Sequence, residues 1–160
     1  MTRIGVTGHI HFTSHTADLI RRELIGRLQP YAGDLVGVSC LALGADTIFA
    51  RAVLSAGGRL EVVLPARRYR EQAVPVAARQ GFDELLASAE AVRVMPYDKP
   101  CPAAFRAAND MVLADIELLL AVWDGGPGEP GSAADAVVSA RRSGIPVDIV
   151  WPAGARRNAE

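Results

Sequence analysis

The sequence predicts an α/β fold in three layers: a mostly parallel sheet of about six strands, covered on both faces by helices. Three observations predict it. Short apolar runs alternate with amphipathic stretches from one end of the chain to the other. Those runs are nearly continuous in hydrophobicity, as parallel strands buried on both faces require. Glycine, proline or small polar residues punctuate each change of pattern. The length of 160 residues, half of them hydrophobic, suits one domain with a sizeable core. Residues 1–152 are expected to form that domain, and 153–160 a frayed, flexible tail.

The elements follow in order. Arg3–Gly8 is short, β-branched and bounded by glycine, which predicts a strand. Ser14 or Thr16 is placed to cap the next helix, where Leu19, Ile20, Leu24, Ile25 and Leu28 share one face and Pro30 ends the run. Asp34–Ser39 predicts the second strand, and the helix that follows stops at Gly57 and Gly58. Arg59–Pro65 predicts the third strand. Residues 66–90 read as helical in two pieces broken near Gly81. Ala91–Pro96 predicts a fourth strand, Pro102–Asp115 a helix, Glu117–Trp123 a fifth strand, and Pro146–Pro152 a sixth. A last helix starts near Gly131 or Ser132.

Charge excludes several functions. Lys and Arg number 17 against 18 Asp and Glu, and the longest basic run is Arg67–Arg70. Neither a nucleic-acid groove nor a membrane surface is forecast. The two cysteines, Cys40 and Cys101, lack metal-ligand spacing and are too few for a disulfide framework, so reduced thiols in a cytoplasmic protein are expected. No apolar run approaches membrane-spanning length, and the first residues read as a strand rather than a leader.

In an open parallel sheet, ligands bind beyond the carboxyl ends of the strands. The fifth strand ends in "WDGGPGEPGS", with four glycines and two prolines between Gly125 and Gly131. Glycine lets a ligand approach the backbone, and a helix N-terminus offers free N–H groups and partial positive charge. An anion site, above all for phosphate, is therefore expected on Gly125, Gly126, Gly128, Gly131, Ser132 and Ala133, beside Asp124. Gly126, Gly128 and Gly131 spell the dinucleotide fingerprint, yet the acidic residue it wants after the next strand is missing: Asp148 lies inside that strand. The loop also spaces like a phosphate-binding P-loop, but no lysine precedes Ser132.

The first strand ends at Thr7 and Gly8, followed by His9, His11 and His15; without further histidines or an acidic cluster these are expected to border a ligand rather than hold a metal. In the second strand end, Asp46 sits in a first helical turn, either complementing the helix dipole or accepting a hydrogen bond from a base or sugar. Cys40 beside it is expected to be a buried thiol. Asn109 falls one turn from Arg106 on the same helical face and is placed to read a base or ribose.

Three segments carry a family likeness: "GVTGH", the set Ser39, Ala42, Gly44 and Asp46, and "WDG" with "GSAADAV". Together they resemble the SLOG superfamily of Rossmann-like domains, which includes the LOG phosphoribohydrolases, the DNA-processing protein DprA, molybdenum-cofactor carrier-like proteins and YpsA-like proteins. The second segment looks like the SGxAxGxD motif of DprA-like members, with Cys40 in place of its glycine. The third looks like the PGGxGTxxE motif of LOG enzymes, with Ser132 for its threonine and Asp135 for its glutamate, on a longer loop. The resemblance implies a Rossmann-like domain that binds a nucleotide or nucleotide-derived ligand and assembles as a homodimer or higher oligomer. Its alternative implication is an enzyme that cleaves nucleoside monophosphates between base and ribose 5-phosphate, with Arg106 and Asp135 as catalytic residues. No cofactor or metal is implied. A DprA-like DNA partner is the least expected, because a near-neutral chain lacks the phosphate-neutralising charge such binding needs.

Overall fold

A computed structural model describes residues 1–158. Its strands are β1 (Thr2–Gly8), β2 (Leu35–Ser39), β3 (Arg59–Leu64), β4 (Ala91–Val94), β5 (Leu118–Val122) and β6 (Val147–Ile149). They form one six-stranded sheet in the order β4-β3-β2-β1-β5-β6, and every pairing is parallel. The six α-helices are α1 (Ser14–Leu28), α2 (Ala45–Ser55), α3 (Tyr69–Ala73), α4 (Arg79–Ser88), α5 (Pro102–Leu113) and α6 (Ala133–Arg142). This is the expected α/β architecture, a Rossmann-like three-layer sandwich.

Strand alternation sorts the layers. Ile4 and Val6 of β1, with Leu120 and Val122 of β5, pack against Ile20, Leu24 and Leu28 of α1 and against Phe49 and Val53 of α2. On the opposite face Val38 and Val63 meet Ala108 and Val112 of α5, and Leu119 meets Ala140 of α6. The chain runs outward from β1 to β4, then returns to place β5 on the other side of β1. The β1–β5 seam is therefore the point where the winding reverses, and a crevice opens there at the carboxyl ends. The two strands pair from Ile4↔Leu118 to Gly8↔Val122, so their ends lie level beneath that crevice.

Local physics shifted some boundaries. The cap of α1 is Thr13, whose hydroxyl accepts from the Thr16 amide, rather than Ser14 or Thr16. Ile25, expected on the buried face, is exposed. The break within 66–90 falls at Pro75 instead of Gly81: proline forces Val74 into extended backbone, and Gly81 sits inside α4. The chain expected to fray is held as far as Asn158. Arg157 forms an antiparallel bridge with Phe12, the Arg156 amide donates to Thr16 Oγ1 at 2.7 Å, and Arg156 O accepts from the Thr13 amide. Residues 159 and 160 of that expected tail lie outside the described residues.

Candidate functional site

A cavity of about 790 Å³ lies over the ends of β1, β2 and β5. Thr7, Gly8 and His9 border it from the first strand, Asp46 from the start of α2, and Asn109 from α5. Gly128, Gly131, Ser132 and Ala133 close the side formed by the β5–α6 loop. Tyr69, Phe105 and Trp123 add aromatic surface. The structure thus brings together residues from segments far apart in sequence that were each placed at a strand end.

The glycine loop is largely self-satisfied. Asp124 Oδ1 accepts from the Gly126 amide at 2.9 Å, Asp135 Oδ2 accepts from the Gly131 amide at 2.8 Å, and Glu129 O accepts from the Ser132 amide at 3.0 Å. The expectation that Gly126, Gly131 and Ser132 present free amides is therefore corrected: short-range side chains and a turn already use them. Trp123 Nε1 donates to Gly126 O, and Asn109 Nδ2 donates to Gly131 O, pinning the loop from two sides. Gly131 has φ +86°, and a Cβ there would come within 2.8 Å of Phe105 Cβ, so the loop packs tightly on α5. Ser132 caps α6 by accepting from the Asp135 amide. What remains for an anion is the Gly128 amide, which has no acceptor among the described residues, and the first turn itself: Ala133 and Ala134 also line the cavity, and N–H groups at these positions have no intrahelical acceptor.

Arg106 and Asp135 are neighbours, with Nε 3.6 Å from Oδ2, but neither borders the cavity. Asp135 is committed to the Gly131 amide, so its place in the structure is that of a loop-positioning carboxylate. Gly44, Asp124, Gly125 and Gly126 also stand back from the cavity wall. Gly44 is structural: its φ is +79°, and a Cβ would come within 2.6 Å of the carbonyl oxygens of His9 and Ile10.

Beneath the cavity, the turn after β2 wraps a buried carboxylate. Ser39 Oγ donates to Asp46 O and accepts from the amide of Leu41, whose φ is +54°. Asp46 Oδ2 accepts from the Ala42 amide at 3.3 Å. Burial pushes the Asp46 carboxyl up to about 7, against the weaker pull of the Ala42 and Cys40 amides. Both alternatives for this residue are thus joined by a third role, holding the turn. Burial also raises the Cys40 thiol and the Tyr69 hydroxyl well above their ordinary ranges, so neither is a ready nucleophile.

At the other side His9 Nε2 lies 3.1 Å from both the Asp124 amide and Asp124 Oδ1. Burial, and then the nearby Arg157 charge, lower its pKa, which favours the neutral ring accepting from the amide. The Gly126 amide holds the Asp124 carboxyl below the usual range. His11 lines the cavity and His15 does not; among the described residues no three His, Cys, Asp or Glu side chains gather as metal ligands.

Sequence reasoning missed Trp123, Tyr69, Ala134 and Arg157. Trp123 stands at the last position of an expected strand, which is the available signal. Tyr69 hides in the charged run Arg67–Arg70, and Arg157 reaches the cavity only through a contact made across the whole chain.

Comparison with known proteins supports the fold. No family model and no curated protein matches the sequence. Among solved structures, DprA from Streptococcus pneumoniae superposes with a TM-score of 0.71 at 20% identity, covering 96% of this chain and 52% of its own. DprA from Helicobacter pylori, described by its single-stranded DNA binding mode, gives 0.69 at 18% identity, over 98% and 68%. A molybdenum cofactor binding protein from Rippkaea orientalis gives 0.62 at 15% identity, over 92% and 75%. The chain thus spans about half the length of the pneumococcal protein. The fold is Rossmann-like and is shared with these proteins, as the three strand-end motifs implied. Among the described residues, no helix is long and apolar enough to cross a membrane.

Proposed function

We propose that this domain binds a nucleotide or nucleotide-derived small molecule in the cavity over β1, β2 and β5. The carrying observation is the coincidence of one cavity of about 790 Å³ with the carboxyl ends at the winding reversal and with the first turn of α6. Phosphate sits at Ala133 and Ala134, where unpaired amides and the helix dipole meet it. The base or ribose lies toward Thr7, Asp46 and Asn109, with Tyr69, Phe105 and Trp123 supplying apolar contact. Fold neighbours described as binding molybdenum cofactor or DNA support a ligand of this chemistry. Asp46, with its raised pKa, offers either a donor or an acceptor near neutral pH.

The test is direct. Small molecules released from the denatured, purified protein are identified by mass spectrometry, and thermal unfolding is followed against a panel of nucleoside monophosphates. A saturable rise in Tm is expected for at least one, since ligand at a hundredfold excess over Kd stabilises by about 3 kcal/mol. No released nucleotide and no shift across the panel would overturn the reading. The same incubations are assayed for free base. None is expected, because Arg106 and Asp135 engage each other away from the cavity. Base release lost in Asp135→Asn would replace binding by phosphoribohydrolase activity. Salt-dependent retention on single-stranded DNA would point instead to a DNA partner, against the near-balanced charge of the chain. Assembly as a homodimer or higher oligomer is part of the proposal and is read by light scattering.

A further inference from the structure

The first turn of a helix carries only about half an elementary charge, and it is screened by water. A phosphate in this cavity calls for a full cation nearby. Among the described residues that line the cavity, the only Arg or Lys is Arg157. It comes from the C-terminal segment, fixed in place by the bridge to Phe12 and by the bond from the Asn158 amide to His11 O. Its guanidinium is held loosely: Nη1 is 3.9 Å from Asp124 Oδ2, and the side chain is 42% exposed. At that length the pair is no hydrogen bond, and among the described residues no acceptor engages the fork of five donors. Asp124 Oδ1 meanwhile accepts from the Gly126 amide. It orients the arginine without saturating it.

We infer that Arg157, brought to the cavity mouth by the C-terminal segment, is the cation that grips the phosphate of the ligand and sets the site's preference for phosphorylated over unphosphorylated ligands. Guanidinium matches phosphate oxygens in a bidentate fork, and the amides of the α6 first turn meet the same group from the opposite side. This rests on the nucleotide reading for the identity of the ligand, but the phosphate contact is tested separately.

Binding of inorganic pyrophosphate is measured by calorimetry at low salt for the full chain and for Arg157→Gln and Arg157→Lys. Arg157→Gln is expected to weaken pyrophosphate at least tenfold, and Arg157→Lys less, because lysine keeps the charge but loses the fork. Equal binding by all three proteins, or no binding by the unaltered chain, overturns the assignment. Nucleosides and their monophosphates are then compared. The monophosphate advantage is expected to shrink at least tenfold in Arg157→Gln while nucleoside affinity stays within twofold. An unchanged advantage overturns the arginine's role and leaves the nucleotide reading standing. Pyrophosphate binding that depends on Arg157, with no nucleotide or nucleoside bound, sustains the phosphate contact and removes the nucleotide reading. A readout without ligand keeps the variants interpretable: the Arg157 charge helps lower the His9 pKa, so Arg157→Gln is expected to raise it in an NMR titration. An unmoved His9 means the guanidinium is not beside the cavity, and the assignment fails.

Discussion

Asp46 is a carboxylate with 7% of its surface exposed, wrapped by its own turn. Its folded pKa of about 7 lies above the ordinary carboxylate range, so the folded chain holds a proton that the unfolded chain has released. The stability Asp46 contributes is thus greatest in acid, falls as pH rises from about 4 to about 7, and is level above that. Asp46→Asn cannot titrate. Between pH 5 and pH 8, urea unfolding is expected to shift the stability difference in the variant's favour by roughly 2–4 kcal/mol. Parallel pH profiles for the two proteins would show that the carboxyl is not buried as described. Sequence placed this residue at the strand end and left two roles open. It could not show that the turn from Ser39 to Asp46 folds back upon itself, because the Ser39 Oγ to Asp46 O bond reaches across the irregular backbone of residues 40–44.

At the scale of elements, the alternation of strand and helix was legible because the central strands β2 and β5 are unbroken apolar runs, although Arg93 interrupts β4 and Asp148 interrupts β6. The loop between β5 and α6 was legible in place but not in its internal bonding. Its glycines announced close approach of another group, and Phe105 is one such group, pressed on Gly131 from inside the protein. One clue was present: Ser132 and Asp135 are three residues apart, the spacing of a capping box, in which the acidic side chain turns back to an amide at the helix start. Here it reaches Gly131, one residue further back. Removing the forward half of this arrangement, by Ser132→Ala, is expected to cost about 1 kcal/mol, read as a lower urea midpoint with unchanged slope. A change below a few tenths would mean that the Asp135–Gly131 bond alone holds the helix start. The break at Pro75 teaches the same lesson: a proline acts through the residue before it, whereas Gly81 is tolerated inside α4.

The whole molecule is organised about one seam, and its order explains which distant residues meet. The position of β5 beside β1 follows from topology rather than from any local pattern, yet the general rule for doubly wound sheets led to the same three strand ends. The C-terminal segment had no such rule to reveal it. Its composition reads as tail, and only the tertiary structure supplies partners in the loop after β1. Truncation after Ala155 removes the donor to the buried Thr16 Oγ1 and two further bonds to that loop. A loss of about 1–3 kcal/mol is expected, seen as a fall in Tm of about 3–8 °C. An unaltered melting curve would show that the segment is not docked in solution.

That docking has a practical geometry. β1 begins at the amino edge of a parallel sheet, whereas Asn158 lies beside the loop that leaves the carboxyl edge. A purification handle or fused domain joined at the front of the chain departs from the far side of the molecule. One joined directly after Asn158 leaves beside the cavity entrance, where a basic peptide would offer its own charges to an incoming anion and distort any affinity measured there.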